Sequence, residues 1–507
     1  MARTSPTSPT SPVDSREVEE ILARVRGRYG SPAPEPEAAK AIPAPPTAAV
    51  SPAAAPAAAG KTRSPGAEGI FKTVDAAVAA ANQAFLEYRE LGLDRRFVII
   101  DAVRRAMERD ARELAEMAHR ETGLGRADDK EIKNLLVTRK TPGPEELTPQ
   151  AVTGDRGMTV TEYAPFGVIA AITPTTNPTS TVINNTISTV SAGNAVVFNF
   201  HPAAKEVSTE NVRRINRAIV AAGGPPNLVC GLPEPTIESA QELMRHRGIR
   251  LLLVTGGPAV VREAQKTSKR AICAGPGNPP VVVDESADVG RAAREITRGA
   301  SFDNNMVCTD EKEVFVCRSK ADELLRAFAR GPAVVLKEYQ VKQLEKVVFA
   351  EMGGPREHGK VNRKWIGQNA GRILREIGVE AGDDVRLVVA EVPVDHSLVW
   401  TEQMMPVMPV ARVESFDEAM DLAELAEHNY RHTASIYSNN VEHITRMARR
   451  MNVSIFVANS ANMAGLGAGG EDFCSYSIAT PTGEGLTRPR TFSRIRRLTV
   501  VGSMRIV

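Results

Sequence analysis

The sequence is poor in cysteine, in long apolar runs and in an excess of charge of either sign. Its 507 residues hold five cysteines, Cys230, Cys273, Cys308, Cys317 and Cys474. The count is odd and no two form a CxxC pair, so neither a disulfide framework nor a thiolate zinc site is indicated, and a reducing cytoplasm is the expected setting. The most apolar stretches, such as Gly167 to Ile172 and Leu251 to Val254, fall far short of the roughly 18 uncharged residues of a membrane-spanning helix. They read as buried strands. No apolar segment follows Arg3 before Val18, which removes the case for a secretory signal. Sixty-three basic side chains stand against 61 acidic ones, and residues 1–66 hold eight and six of them, leaving 55 of each in the rest. A neutral body is a poor binder of polyanions, so neither nucleic acid nor a membrane is an expected partner.

What the chain does have is length and alternation. At about 100 to 200 residues per domain, its length suggests two to four domains. With 42% hydrophobic and 24% charged residues it is neither wholly disordered nor fibrous. Residues 1–13 include the triplet Thr-Ser-Pro written three times from Thr4 to Pro12, a segment expected to be disordered. In 14–30, Val18, Ile21, Leu22, Val25 and Tyr29 fall on one helical stripe, with Asp14 or Ser15 to cap it and Gly30 to end it. The next stretch, 31–66, has nine prolines and thirteen alanines and reads as an extended tether. A short amphipathic helix on a long tether is marginal alone and is expected to dock on a partner. The arginines Arg24, Arg26 and Arg28 are offset by Glu17, Glu19 and Glu20, which argues against a membrane surface.

From about Ala67 helical and strand-like segments alternate. Val74 to Tyr88 and Arg95 to Thr122 have helical period, whereas Val168 to Thr173, Ala195 to Asn199, Leu251 to Val254, Pro280 to Val283, Glu313 to Cys317, Leu387 to Val394 and Val453 to Val457 are short apolar runs bounded by turn residues. This pattern predicts an α/β body with largely parallel sheet, in two halves with a cleft between them.

Cys308 lies between a helical run, Ala287 to Ala300, and a strand, in a loop rich in amides: Phe302-Asp-Asn-Asn-Met-Val-Cys308. A free thiol has pKa near roughly 8.5, so a nucleophilic role needs local stabilisation of the thiolate. Upstream, Leu251-Leu-Leu-Val-Thr255-Gly256-Gly257-Pro258 is a strand running into a Gly-rich turn and then a helix, an arrangement whose backbone N–H groups suit a pyrophosphate. Three other patterns carry less. Gly465, Gly467 and Gly470 match GxGxxG without a βαβ unit around them. His428 and His432 sit four apart without a third ligand, so no metal is expected. The arginines from Arg488 to Arg497 read as a solvated edge beside a final strand, Leu498 to Val507.

The segment Tyr163-Ala-Pro-Phe-Gly-Val-Ile-Ala-Ala-Ile-Thr-Pro-Thr-Thr-Asn177-Pro-Thr, followed by Ser191-Ala-Gly-Asn-Ala-Val-Val-Phe198, resembles the aldehyde dehydrogenase superfamily, specifically its coenzyme A-acylating branch of bacterial microcompartments. The resemblance runs from about Gly69 to Val507. It implies a Rossmann-type cofactor domain over 67–272 with an oligomerisation segment near 150–163, a catalytic α/β domain over 273–490, and an oligomerisation strand in 491–507. It implies Cys308 as nucleophile and Asn177 as the side-chain amide of the oxyanion hole. For the dinucleotide it implies Thr173, Pro174, Asn199, Thr255, Gly256, Gly257, Pro258 and Glu402, the last of these on the nicotinamide ribose. Pro258 and Val261 depart from the Gly-Ser-Thr turn of relatives, and Asn199 stands where many hydrolytic relatives have a ribose-binding lysine, so NAD is expected without excluding NADP. Hydrolytic relatives carry a water-activating Glu thirty-four residues before the nucleophile, and here that position is Ala274.

The resemblance therefore implies oxidation of a short aldehyde, propionaldehyde first and acetaldehyde second, by NAD and coenzyme A through a Cys308 thioester. A homo-oligomer, dimer or tetramer, is implied as well. The helix 14–30 resembles encapsulation peptides, which implies a shell protein as partner and residence in a cytoplasmic microcompartment. Two alternatives stand beside this: a hydrolytic enzyme using Asp303 or Asp310 as base, and a catalytically silent cargo or adaptor protein.

Overall fold

The computed structural model describes residues 68–507. The expected disordered segment 1–13, the helix 14–30 and the tether 31–66 lie outside them. The helix Val74–Tyr88 starts where Thr73 accepts the N–H of Ala76, and it buries Val74, Ala77, Val78, Ala81, Ala84 and Tyr88. The helix Leu93–Thr122 runs two residues further upstream than its period predicts and stops at Gly123, whose φ of 67° ends it.

Two parallel sheets form the body. The first has five strands in the order Val229–Gly231, Ala195–Asn199, Val168–Ile172, Ile249–Thr255 and Ala271–Ala274, all parallel. Its central strands are buried on both faces, which is why they read as unbroken apolar runs. The second has seven strands in the order Ala333–Val335, Leu387–Glu391, Val407–Val413, Glu313–Cys317, Pro280–Val283, Thr433–Tyr437 and Ile455–Ala458, again all parallel. Successive residues of its strands enter opposite cores: Val282 and Phe315 lie in one cluster, and Val281, Val283, Val314 and Val316 in the other. Period two thus fills both faces.

A separate antiparallel sheet joins Gln150–Gly154, Gly157–Pro165 and Ser493–Val501. The last strand starts earlier than expected and takes in Arg494, Arg496 and Arg497, which its exposure allows. It ends before Gly502, which has φ of 76°. No described helix is long and apolar enough to cross a membrane.

Candidate active site

The two parallel sheets turn opposite edges toward one region. At the carboxyl edge of the five-stranded sheet, the strand Val168–Ile172 leads into Thr173 to Asn177, and Pro178 opens the buried helix Pro178–Ser191. Asn177 stands at the N-cap, yet its side chain makes no capping bond. Its Oδ1 accepts from the buried Lys133 Nζ at 2.6 Å, and its Nδ2 donates to Thr176 Oγ1 at 3.2 Å. At the amino edge of the seven-stranded sheet, the half-buried Cys308 precedes the strand Glu313–Cys317.

The amide-rich loop before Cys308 has a conformational reason. Asp303, Asn304 and Asn305 have φ of 45°, 57° and 65°, a left-handed run that Asn and Asp tolerate best. Each side chain holds the turn. Asp303 Oδ2 pairs with Lys130 at 2.9 Å and with Lys133, and Asp303 Oδ1 accepts the Arg126 N–H at 2.7 Å. Asn304 donates to Gly367 O and Asn369 Oδ1, both at 2.8 Å, and Asn305 donates to Ala300 O and Glu311 O, both at 2.9 Å. Gly125, with φ of 69°, packs so closely on Asp303 that a Cβ there would strike the carboxylate.

Burial dominates the electrostatics. It pushes the Cys308 thiol up to about 12, and the Glu402 carboxylate pushes in the same direction while the Lys312 cation opposes both. The next residues are buried too: burial raises Asp310 and Glu313 well above the ordinary carboxylate range, and lifts Glu311 to about 7. Asp310 Oδ2 accepts the Val307 N–H at 3.0 Å, and Lys312 Nζ reaches Asn305 Oδ1 at 2.5 Å. Neither aspartate offered as a substitute base is free. Burial raises the Asp310 carboxyl well above the ordinary carboxylate range, whereas Lys130 and Lys133 hold the Asp303 carboxyl below it despite burial.

Glu402 is half-buried, accepts the Gly277 N–H and has its carboxyl pushed up by its desolvation. Gly277 sits against Cys308: a Cβ on it would lie 2.7 Å from the Cys308 carbonyl oxygen and 3.0 Å from His432 Cγ. His432 is no metal ligand candidate with His428. His428 Nε2 meets Trp400 O at 3.0 Å and its ring lies against His358, while His432 is buried, with Nδ1 on Thr433 Oγ1 at 2.9 Å and Nε2 without a partner. Burial lowers the His432 imidazole to about 4, so it is neutral at pH 7. A neutral buried imidazole beside the cysteine loop is a feature that the spacing of histidines alone does not reveal.

The dinucleotide candidates other than Glu402 cluster at the carboxyl edge of the five-stranded sheet. Gly256 N–H donates to Ala274 O at 3.2 Å, and Gly257 is the N-cap of the helix Pro258–Gln265, which has no side-chain cap and no acidic residue in its first turn. Thr173 and Thr175 have buried hydroxyls without partners. An uncapped helix start and unpaired hydroxyls fit a phosphate-bearing cofactor. Pro258 contributes no N–H there. Asn199 is engaged otherwise: its Oδ1 accepts from Ser239 Oγ at 2.6 Å. Sequence reading missed Tyr476 and Ser477. Ser477 Oγ bonds Thr255 Oγ1 at 3.0 Å and Asn185 Oδ1 at 2.8 Å, and the Tyr476 hydroxyl is buried without a partner.

The sequence profile of the aldehyde dehydrogenase family matches residues 51–343 and 381–471. This chain belongs to that family. It is 50% identical over 440 residues to the acetylating acetaldehyde dehydrogenase EutE of Salmonella typhimurium, covering 87% of this chain and 94% of that one. The CoA-propanoylating propanal dehydrogenase of the same organism is 42% identical over 440 residues, with 87% and 93% covered. Among solved structures, the propionaldehyde dehydrogenase of Rhodopseudomonas palustris, with bound CoA and an acylated cysteine, has a TM-score of 0.83 at 43% identity, covering 86% of this chain and 98% of that one. A propionaldehyde dehydrogenase from the fucose utilisation microcompartment of Clostridium phytofermentans gives 0.83 at 41%, covering 87% and 100%.

Proposed function

We propose that this chain is a coenzyme A-acylating aldehyde dehydrogenase that oxidises a two- or three-carbon aldehyde. The observation that carries the reading is the state of the carboxylates around Cys308. Position 274 has none, Asp303 is tied to two lysines, and burial raises the Asp310 carboxyl well above the ordinary carboxylate range. Without a positioned base, attack of water on an acyl-enzyme loses about 10² to 10⁴ in rate. A thiol acceptor is the better nucleophile toward the thioester, which agrees with the named activities of the 50% and 42% identical relatives.

In this reading the Cys308 sulfur adds to the aldehyde carbonyl, and Asn177 Nδ2 and the Cys308 N–H donate to the oxyanion. A bound nicotinamide supplies the hydride acceptor. Glu402 and the turn Thr255 to Pro258, with Thr173 and Pro174, hold that cofactor, NAD before NADP. Cys308 carries the acyl group until the coenzyme A thiol takes it. NADH formation with two- to six-carbon aldehydes should depend on coenzyme A and yield acyl-CoA by mass spectrometry. Free carboxylate formed equally fast without coenzyme A would overturn the assignment.

One observation favours a second reading. Glu402 accepts the Gly277 N–H, and Gly277 packs on the Cys308 carbonyl, so a hydrolytic enzyme would use that carboxylate as base. Acid formation that vanishes in Glu402→Gln would favour that reading.

The halves 67–272 and 273–490 take the cofactor and catalytic roles. The antiparallel sheet of 150–165 with 493–501 leaves Val152, Ile495 and Val501 on one face, between 67% and 79% exposed, an apolar face suited to a dimer or tetramer. Residues 14–30 bind a shell protein and bring the enzyme into a cytoplasmic microcompartment. Deleting 1–66 should leave turnover intact and abolish co-purification with shell proteins.

A further inference from the structure

We propose that Lys133 is a positioning residue that dictates which end of the Asn177 amide faces the reacting carbonyl. The inference rests on the reading of Asn177 as the oxyanion donor. An amide has an acceptor end and a donor end of nearly equal size, and only the donor end stabilises an oxyanion. An ammonium group can only donate. Lys133 Nζ stands 2.6 Å from one end of the Asn177 amide, so that end is Oδ1 and the other is Nδ2.

The neighbourhood makes this constraint rigid. Lys133 is 1% exposed, and Asn177 is 8% exposed. Lys133 is also held by Asp303, which shares its Oδ2 with Lys130 at 2.9 Å. Asp303 is anchored in turn by the Arg126 N–H at 2.7 Å, and its own N–H donates to Asp129 Oδ2 at 2.9 Å. Asp129 is paired with Arg386 at 2.6 Å. Asp303 lies five residues before Cys308 on the same turn. One buried ammonium therefore ties the amide that receives the negative charge to the loop that carries the nucleophile. Asn is a favoured N-cap residue, yet Asn177 does not cap its helix. Its amide is diverted to Lys133 instead.

The test compares wild type with Lys133→Gln, Lys133→Arg and Lys133→Met, each also in an Asn177→Ala background. The readouts are single-turnover acylation of Cys308, KM for aldehyde, and thermal melting of the full chain. A Gln at 133 can donate or accept and no longer enforces the orientation, whereas Arg can only donate. Lys133→Gln and Lys133→Met should slow acylation about 10²-fold, the size of a lost oxyanion donor, with KM little changed. Lys133→Arg should retain most of the rate. In the Asn177→Ala background all three should add almost no further loss.

Equal losses in both backgrounds would overturn the positioning role, as would Lys133→Arg being as slow as Lys133→Gln when both melt like wild type. If the Met variant fails to fold, the Gln and Arg pair still decides. Wild type that never acylates Cys308 would overturn the parent reading rather than this link alone.

Discussion

The two parallel sheets meet the site with opposite polarity, and the chemistry follows the polarity. The five-stranded sheet presents its carboxyl edge, where strands run into helix starts, so it offers N–H groups and amides: the Gly256 to Pro258 turn and Asn177. The seven-stranded sheet presents its amino edge, where loops enter strands. It offers Cys308, Glu402 and His432, with Asp310, Glu311 and Glu313 buried just behind the cysteine. The first edge suits a polyanionic cofactor and a developing oxyanion. At the second, burial raises the proton affinity of Cys308, Asp310, Glu311, Glu313 and Glu402 and lowers that of His432, because it opposes charge on thiol, carboxyl and imidazole alike. The difference teaches that the Cys308 thiol is protonated before cofactor and substrate arrive, and that the cation acting on it, Lys312, belongs to its own edge.

The division can be broken at several points. The largest effect is expected for Cys308→Ala, which should abolish the acyl-enzyme and lower NADH formation by at least about 10³-fold while leaving dinucleotide affinity, measured by titration, unchanged. A change in that affinity would mean that the two edges do not act separately. Gly277→Ala comes next, since its Cβ would press the Cys308 carbonyl and His432 at 2.7 and 3.0 Å. A displacement near an ångström costs about 10²-fold in rate, so kcat should fall steeply with a smaller change in Tm.

Acid sharpens the comparison. His432 titrates at about 4 in the fold against about 6.5 in an unfolded chain, so between those values the unfolded state binds more protons and stability falls as pH falls, by about 3 kcal/mol in all. Urea melts at pH 7 and pH 4.5 should show His432→Asn losing less on acidification than wild type. The smallest effect is expected for Glu402→Gln. After burial, its charge is the next cause that holds the proton on Cys308, so its removal should speed alkylation of Cys308 at pH 8 on the order of severalfold. Alkylation in both proteins should keep rising with pH beyond 8.5, as a thiol pushed up to about 12 requires.

Much of the fold is legible in the chain. Runs such as Val168 to Ile172 and Ala195 to Asn199 are apolar throughout because both faces are covered, and they emerge as central strands. The strand Ile249–Thr255 reaches beyond its apolar run because the exposed Arg250 interrupts the pattern. The site is legible in part. Cys308 and Asn177 stand out through the order of motifs around them. Lys130 and Lys133 do not, because Ala-Asp-Asp-Lys-Glu-Ile-Lys has the composition of a solvated helix face, yet both lysines are buried.

By itself, the sequence determined the apolar runs that become the central strands, that one cysteine follows an amide-rich loop, and that position 274 has no carboxylate, because periodicity and residue identity are local properties. Only the tertiary structure decided which charges are buried, which end of Asn177 meets Lys133, and that Gly277, Glu402 and His432 gather at Cys308. Those outcomes depend on groups as far as 257 residues apart, as between Asp129 and Arg386, being taken out of water together. No local pattern encodes the desolvation that results.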